Sequence, residues 1–291
     1  MKREKSWRIL TAALMLGVLC TTGCGKKTVD PSGSEETQET ETVDESETQG
    51  QSETDAETET ARNQLAGGST ENITYEVQYV NRRYEADDGT PIFELKLARP
   101  MLMGEGEGIE KINTFFEKWS QKKLEEYEAD ENSTRQSALE VYRESRDAGW
   151  AGPWGEEYRV SAVKAHSGYV SILIDSYLYE GGAHGMPYRE GHVFRLMDGQ
   201  EVALTDLSGK KQEEWDKLLR ARFSKLVSEG EEAQYYEDAL ELLKERDMKD
   251  TGYYFTDTGI IFYLPPYEIA PYSTGYVEIE IPFEEAGIKQ Q

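Results

Sequence analysis

From residue 72 onward, two hydrophobic rhythms alternate along the chain. Ile73, Tyr75, Val77 and Tyr79 fall at every second position and predict a half-buried strand over 72–80. Asp87, Asp88 and Gly89 mark a turn, and the apolar alternation resumes over 92–97. After a glycine-rich loop over 99–108, Ile109, Ile112, Phe115, Phe116 and Trp119 recur at three- and four-residue spacing. That spacing predicts an amphipathic helix to about residue 127. A more polar helix is expected over 133–146, and Gly149, Trp150, Gly152, Pro153 and Trp154 then break the pattern. Strands follow over 158–165, 169–179, 191–196 and 201–207, with Asp198 and Gly199 as a hairpin signal. Two helices over 210–228 and 233–244 precede strands at 253–256, 260–264 and 276–281. Strands and helices come in segregated runs, so the expected class is α+β. The expected architecture is an antiparallel meander with helices on one side. It forms two closely associated subdomains, 72–150 and 151–291.

The first 71 residues carry no such rhythm. Lys2, Arg3, Lys5 and Arg8 lead into an apolar run of 11 residues, 9–19. A bilayer span needs about 20, so residues 1–24 read as an export signal. Gly23 and Cys24 resemble a bacterial lipobox, although Thr21 stands where leucine is usual. Lipidation at Cys24 would anchor the protein to the outer face of the cell membrane, with its head in the cell-wall space. Residues 25–71 are rich in Thr, Glu, Ser and Gln, with Val29, Val43 and Leu65 as the large apolar residues. Such a segment cannot offset its ordering entropy by burial, which predicts a disordered tether. Its flexible reach is roughly 35–40 Å.

Charge narrows the partners. Residues 72–291 carry 25 Lys and Arg against 43 Asp and Glu, a net charge of −18. Nucleic acid, which needs a basic footprint, is therefore not an expected partner. A cationic partner is permitted, although acidity also serves solubility alone. Both cysteines, Cys20 and Cys24, precede the predicted folded region. A disulfide framework or a thiolate site is not expected there.

The densest chemistry lies in 176–192, where Gly181, Gly182, Gly185, Gly191, Pro187, His184 and His192 crowd one connection between strands. The two histidines, with Asp175, Glu180 and Glu190 nearby, offer metal-ligand types but no compact ligand spacing, so no metal or cofactor is expected. His184 reads as the pin of a tight turn. Asp250 and Asp257 each begin an Asp-Thr-Gly triplet, but they lie seven residues apart, and Asp257 belongs to a hairpin turn. Ser176 has no nucleophile elbow around it, and no carboxylate pair stands out for glycoside hydrolysis. Trp150 and Trp154 either stack on sugar rings or plug a seam between two halves, and the seam is the preferred reading. Pro265, Pro266 and Pro271 stiffen a loop that carries Tyr267 and Glu268. A stiff aromatic loop loses little entropy on binding.

Tyr179, Gly181, Gly182, His184 and Gly185, then Asp198, Gly199, Leu204 and Leu207, then Phe262, Pro265, Tyr267, Pro271 and Gly275, resemble one known domain. It is the C-terminal half of the extracellular region of RsiV-type anti-sigma factors, found also in PdaC-type peptidoglycan deacetylases. The segment from Ile73 to Arg146 resembles its companion N-terminal domain. The resemblance implies an extracellular α+β module, and in the RsiV-type sensors this region binds lysozyme. Only eight residues precede the apolar run, and nothing like a deacetylase domain follows residue 291, so neither a sigma-binding nor a deacetylase part is expected. The expected function is thus a lipid-anchored module binding a cationic protein such as lysozyme, as sensor, decoy or inhibitor. A peptidoglycan- or glycan-binding wall protein is the alternative, with an unrecognised hydrolase behind it. The expected contact residues are Pro265, Pro266, Tyr267, Glu268, His184 and Tyr188, with no catalytic residue.

Overall fold

The computed structural model describes residues 73–129, 133–146, 148–231 and 234–288. The export signal, Cys24 and the tether lie outside the described residues. Two antiparallel strands open the fold, β1 (Thr74–Glu85) and β2 (Pro91–Met103). Their turn is closed by Ala86 N–H donating to Thr90 O at 2.9 Å, with Gly89 at φ 81°. Both strands run well past the ends predicted from alternation, and β2 absorbs part of the expected 99–108 loop.

Helices α1 (Glu107–Glu128) and α2 (Ser133–Ser145) then carry the chain back, so that β3 (Trp154–His166) pairs with β2 in parallel. Parallel pairing needs a long crossover, and the two helices supply it. This joint departs from a pure antiparallel meander. It also puts the residue 150/151 boundary expected from the sequence inside a single sheet. Antiparallel pairing continues through β4 (Tyr169–Tyr179) to β5 (Met186–Arg195), giving a five-stranded sheet ordered β1-β2-β3-β4-β5. Pro187 sits in β5 without cost to the ladder's interior because β5 is an edge strand.

The expected strand over 201–207 is instead a single bridge, Phe194 to Glu201, followed by α3 (Leu204–Ser208). Asp206 and Leu207 N–H both donate to Ala203 O, and Gly209 in the left-handed region ends the turn. Leu207 is buried from a helix rather than from a sheet face. Helix α4 (Gln212–Glu229) is close to its expected span, whereas α5 (Ala239–Glu245) is shorter than the predicted 233–244 helix. The second sheet is an antiparallel meander of β6 (Gly252–Phe255), β7 (Gly259–Leu264) and β8 (Val277–Pro282), with the short α6 (Phe283–Ala286) behind it.

Two apolar clusters fill the layers. Phe93, Leu95, Leu97, Ile112, Phe116, Ile172 and Ile174 join the larger sheet to α1 and α2. Trp215, Leu219, Phe223, Phe262 and Leu264 join the smaller sheet to α4 and α5. The remaining faces of the two sheets meet. Phe255 N–H donates to Ser171 Oγ at 3.0 Å, and Tyr263 Oη donates to Arg189 O at 3.2 Å. The order of layers is therefore helix, sheet, sheet, helix, and the α+β class expected from the sequence holds.

Candidate binding surface

The turn between β4 and β5 is built by glycine. Gly181 and Gly182 stand at φ 83° and 85°, where a Cβ is strained. A Cβ on Gly185 would collide with the Leu178 carbonyl. Gly185 N–H donates to Tyr177 Oη at 2.5 Å, and Tyr179 Oη donates to Gly182 O at 3.1 Å. This bracing holds His184 outward, with Nδ1 3.0 Å from Gly185 O.

His184 does not meet His192. Its ring stacks on Tyr272, with centroids 3.8 Å apart and planes 16° apart. Tyr272 in turn lies beside Tyr177, and its ring centre is 5.9 Å from that of Tyr267. The glycine turn and the 265–271 loop, remote in sequence, therefore meet in one aromatic shelf of Tyr177, His184, Tyr272 and Tyr267. Tyr177 and Tyr267 are 40% and 47% exposed, high for rings of this size.

Tyr267 has φ 70°, a left-handed conformation uncommon outside glycine. Tyr267 N–H donating to Ala270 O at 2.9 Å and the flanking prolines hold it there. Strain held in this way concentrates at functional positions. The other expected contact residues are placed less directly. Pro266 is buried and Pro265 half-buried. Glu268 spends its carboxylate on Arg246, at 2.6 and 3.3 Å, and so fixes the loop. Tyr188, opposite Ser176 in the β4–β5 ladder, is 46% exposed. It lines a neighbouring depression of about 280 Å³ with Asp175, Arg189 and Tyr276.

Arg189 is the residue that sequence reasoning passed over. Its guanidinium lies 4.2 Å from the Tyr276 ring centre, 5.1 Å from Tyr263 and 5.6 Å from Tyr254. It pairs with Asp175 at 2.7 Å in its own sheet and with Glu278 in the other. No local signal marks such a residue, because its partners come from four other strands or strand ends.

His192 lies on the opposite face of its sheet, beside the rings of Phe115 and Phe116. Its Nδ1 is 2.7 Å from Glu201 Oε1, and its Nε2 is 3.7 Å from Glu190, close enough for an ion pair. Burial favours the neutral ring, but Glu190 and Glu201 prevail and raise its pKa to about 9. Burial likewise opposes ionisation of Glu190, yet His192, Lys123 and Trp119 hold its pKa down at about 2. The two shifts describe one cluster. Its stabilisation is complete between the unfolded-state values of about 4.5 and 6.5. It is lost as pH rises through 9 or falls through 2. Thermal melts from pH 6.5 to 9.5 should therefore show a decline of about 2 kcal/mol that His192→Phe removes. An identical decline in that variant would dismiss the cluster as its source.

The two Asp-Thr-Gly triplets do not converge into a site. Asp250 ends the turn before β6, and Asp257 lies in the turn after it, paired with Lys164 at 2.7 Å. Among the described residues, no group of three or more His, Cys, Asp or Glu side chains is arranged to hold a metal.

Comparison with known proteins agrees with the expected domain pair. Residues 200–284 match the family described as "Protein of unknown function (DUF3298)", and residues 87–187 match the family described as "Deacetylase PdaC". A DUF3298-family crystal structure from Bacteroides fragilis is similar at 20% identity and a TM-score of 0.49, covering 75% of this chain and 93% of that one. A second, from Pseudomonas aeruginosa, is similar at 20% identity and a TM-score of 0.45, covering 76% and 96%. No curated protein matches the chain.

Proposed function

Taking as premise a chain that carries a PdaC-type segment followed by a DUF3298 domain, we propose that it is an exported binding module for a cationic protein of the lysozyme kind. In this reading, lipidated Cys24 anchors the acidic tether, and the folded head acts as sensor, decoy or inhibitor in the cell-wall space. The observation that carries the proposal is the aromatic shelf joining His184 to Tyr267 through Tyr272. Exposed tyrosines held by prolines and backbone hydrogen bonds make good anchors, because little entropy remains to be lost. The net charge of −18 over residues 72–291 favours encounter with a basic partner.

Calorimetric titration of the full chain with lysozyme tests the site. Tyr267→Ala should weaken binding about tenfold or more, and His184→Ala about fivefold through the lost support of Tyr272. Unchanged affinity in both variants would remove the shelf from the account.

A further inference from the structure

The outer wall of the same glycine turn closes a second depression. It holds about 240 Å³ and is lined chiefly by Trp150, Trp154, Tyr179, Glu180, Gly181 and Val141. Its two indoles are placed from within. Trp150 donates its N–H to Pro91 O at 3.1 Å and packs edge-on against Tyr142. Trp154 begins β3 and leans on the apolar cluster under α1 and α2. The seam reading of these tryptophans accounts for their inner edges only, since their outer edges form the wall of a cleft.

Three details define what the cleft accepts. Trp154 N–H donates to no group among the described residues, which leaves a free donor beside an apolar wall. Glu180 accepts from Thr134 at 3.2 Å through Oε1, and its Oε2 has no partner among the described residues. Gly181 keeps the indole uncovered, because a Cβ there would lie 2.9 Å from Trp154 Nε1.

We infer that this cleft is a subsite for one neutral pyranose ring of an oligosaccharide, separate from the aromatic shelf. A pyranose offers an apolar C–H face to the indole and hydroxyl edges to a free N–H and a free carboxylate oxygen. Aromatic rings with a polar handle suit such two-sided ligands. The volume lies below the roughly 300–1,000 Å³ of a drug- or cofactor-sized site, which fits a single ring. Among the described residues no basic side chain lines the cleft and Glu180 does, so phosphate and uronate are disfavoured. The acidic 25–71 segment, without an aromatic residue, is a poor occupant for the same reason.

The test is saturation-transfer NMR on the full chain with chitotetraose, cellotetraose and oligogalacturonate as probes. At least one neutral tetrasaccharide should receive transfer through the C–H protons of one ring, and the uronate should receive none. Trp154→Ala should weaken binding tenfold or more. Trp154→Phe keeps a ring against the core but lacks the N–H, and it should weaken binding about threefold or more. Tyr267→Ala should leave the sugar signal unchanged. The inference is overturned if neither neutral probe receives transfer, if the uronate alone does, or if Trp154→Phe binds as tightly as the parent.

Discussion

Arg189→Ala should lower stability by about 2–4 kcal/mol. The side chain is 15% exposed and pairs with Asp175 and Glu278, which are about a third exposed. Removing one partner of a buried ion pair costs about 3–5 kcal/mol, and the partial exposure of both carboxylates reduces that figure. The substitution also empties the space between Tyr254, Tyr263 and Tyr276, where the guanidinium stacks. For a domain of this size the melting temperature should fall by roughly 6–12 °C. Arg189→Lys keeps the charge but loses the planar fork, so about half the loss should remain. Chemical denaturation of the three proteins decides the matter. A loss below 1 kcal/mol in the alanine variant would mean that Arg189 does not tie the sheets together.

Gly191→Ala is expected to cost about 3 kcal/mol for a different reason. Gly191 lies in β5, where the smaller sheet passes so close that an added Cβ would overlap the Tyr253 carbonyl oxygen. Its backbone is not in the left-handed region, so the penalty is one of space alone. Overpacking against a side chain costs about 1–3 kcal/mol, and here the obstacle is backbone that no rotamer change can move. The smaller sheet must shift, which loosens the bonds from Tyr263 to Arg189 and from Phe255 to Ser171. A denaturation midpoint equal to the parent's would show that the two sheets leave room for a methyl group at residue 191.

Strongly periodic elements were legible in the sequence. The apolar run within 169–179 delivers β4 to the residue, because Val170, Ile172, Leu173 and Ile174 are buried on both faces of the sheet. The spacing of Ile112, Phe115, Phe116 and Trp119 delivers α1, because these residues form one apolar stripe packed on the larger sheet. Elements that depend on their neighbours were not legible. β3 starts at Trp154, among glycine and glutamates that carry no strand signal, because β2 provides a parallel partner. The start of β5 is masked by Pro187 and Gly191, which only an edge strand beneath a close second sheet accommodates. Residues 201–207 show apolar spacing compatible with either state, and the bonds to Ala203 O decide for helix.

The candidate surface divides in the same way. His184 and Tyr267 stand out singly, by the glycine turn and by the proline loop. Their meeting through Tyr272 follows from the stacking of two sheets, which no local pattern encodes. The role of Glu268 changes for a related reason. As a charged residue in an exposed loop it reads as a contact, yet Arg246, 22 residues earlier in the chain, takes up its carboxylate. Trp150 and Trp154 read as seam or sugar platform in the sequence, and the fold gives their two edges different surroundings.

The most direct test of the binding account is the affinity of the full chain for lysozyme, measured by calorimetry at about 50 mM and about 300 mM salt. The account predicts saturable binding at low salt that weakens as salt screens the acidic head. It also predicts that Tyr267→Ala weakens that binding about tenfold or more while the fold is retained. Absence of binding at low salt, or binding that ignores both salt and Tyr267, would contradict it.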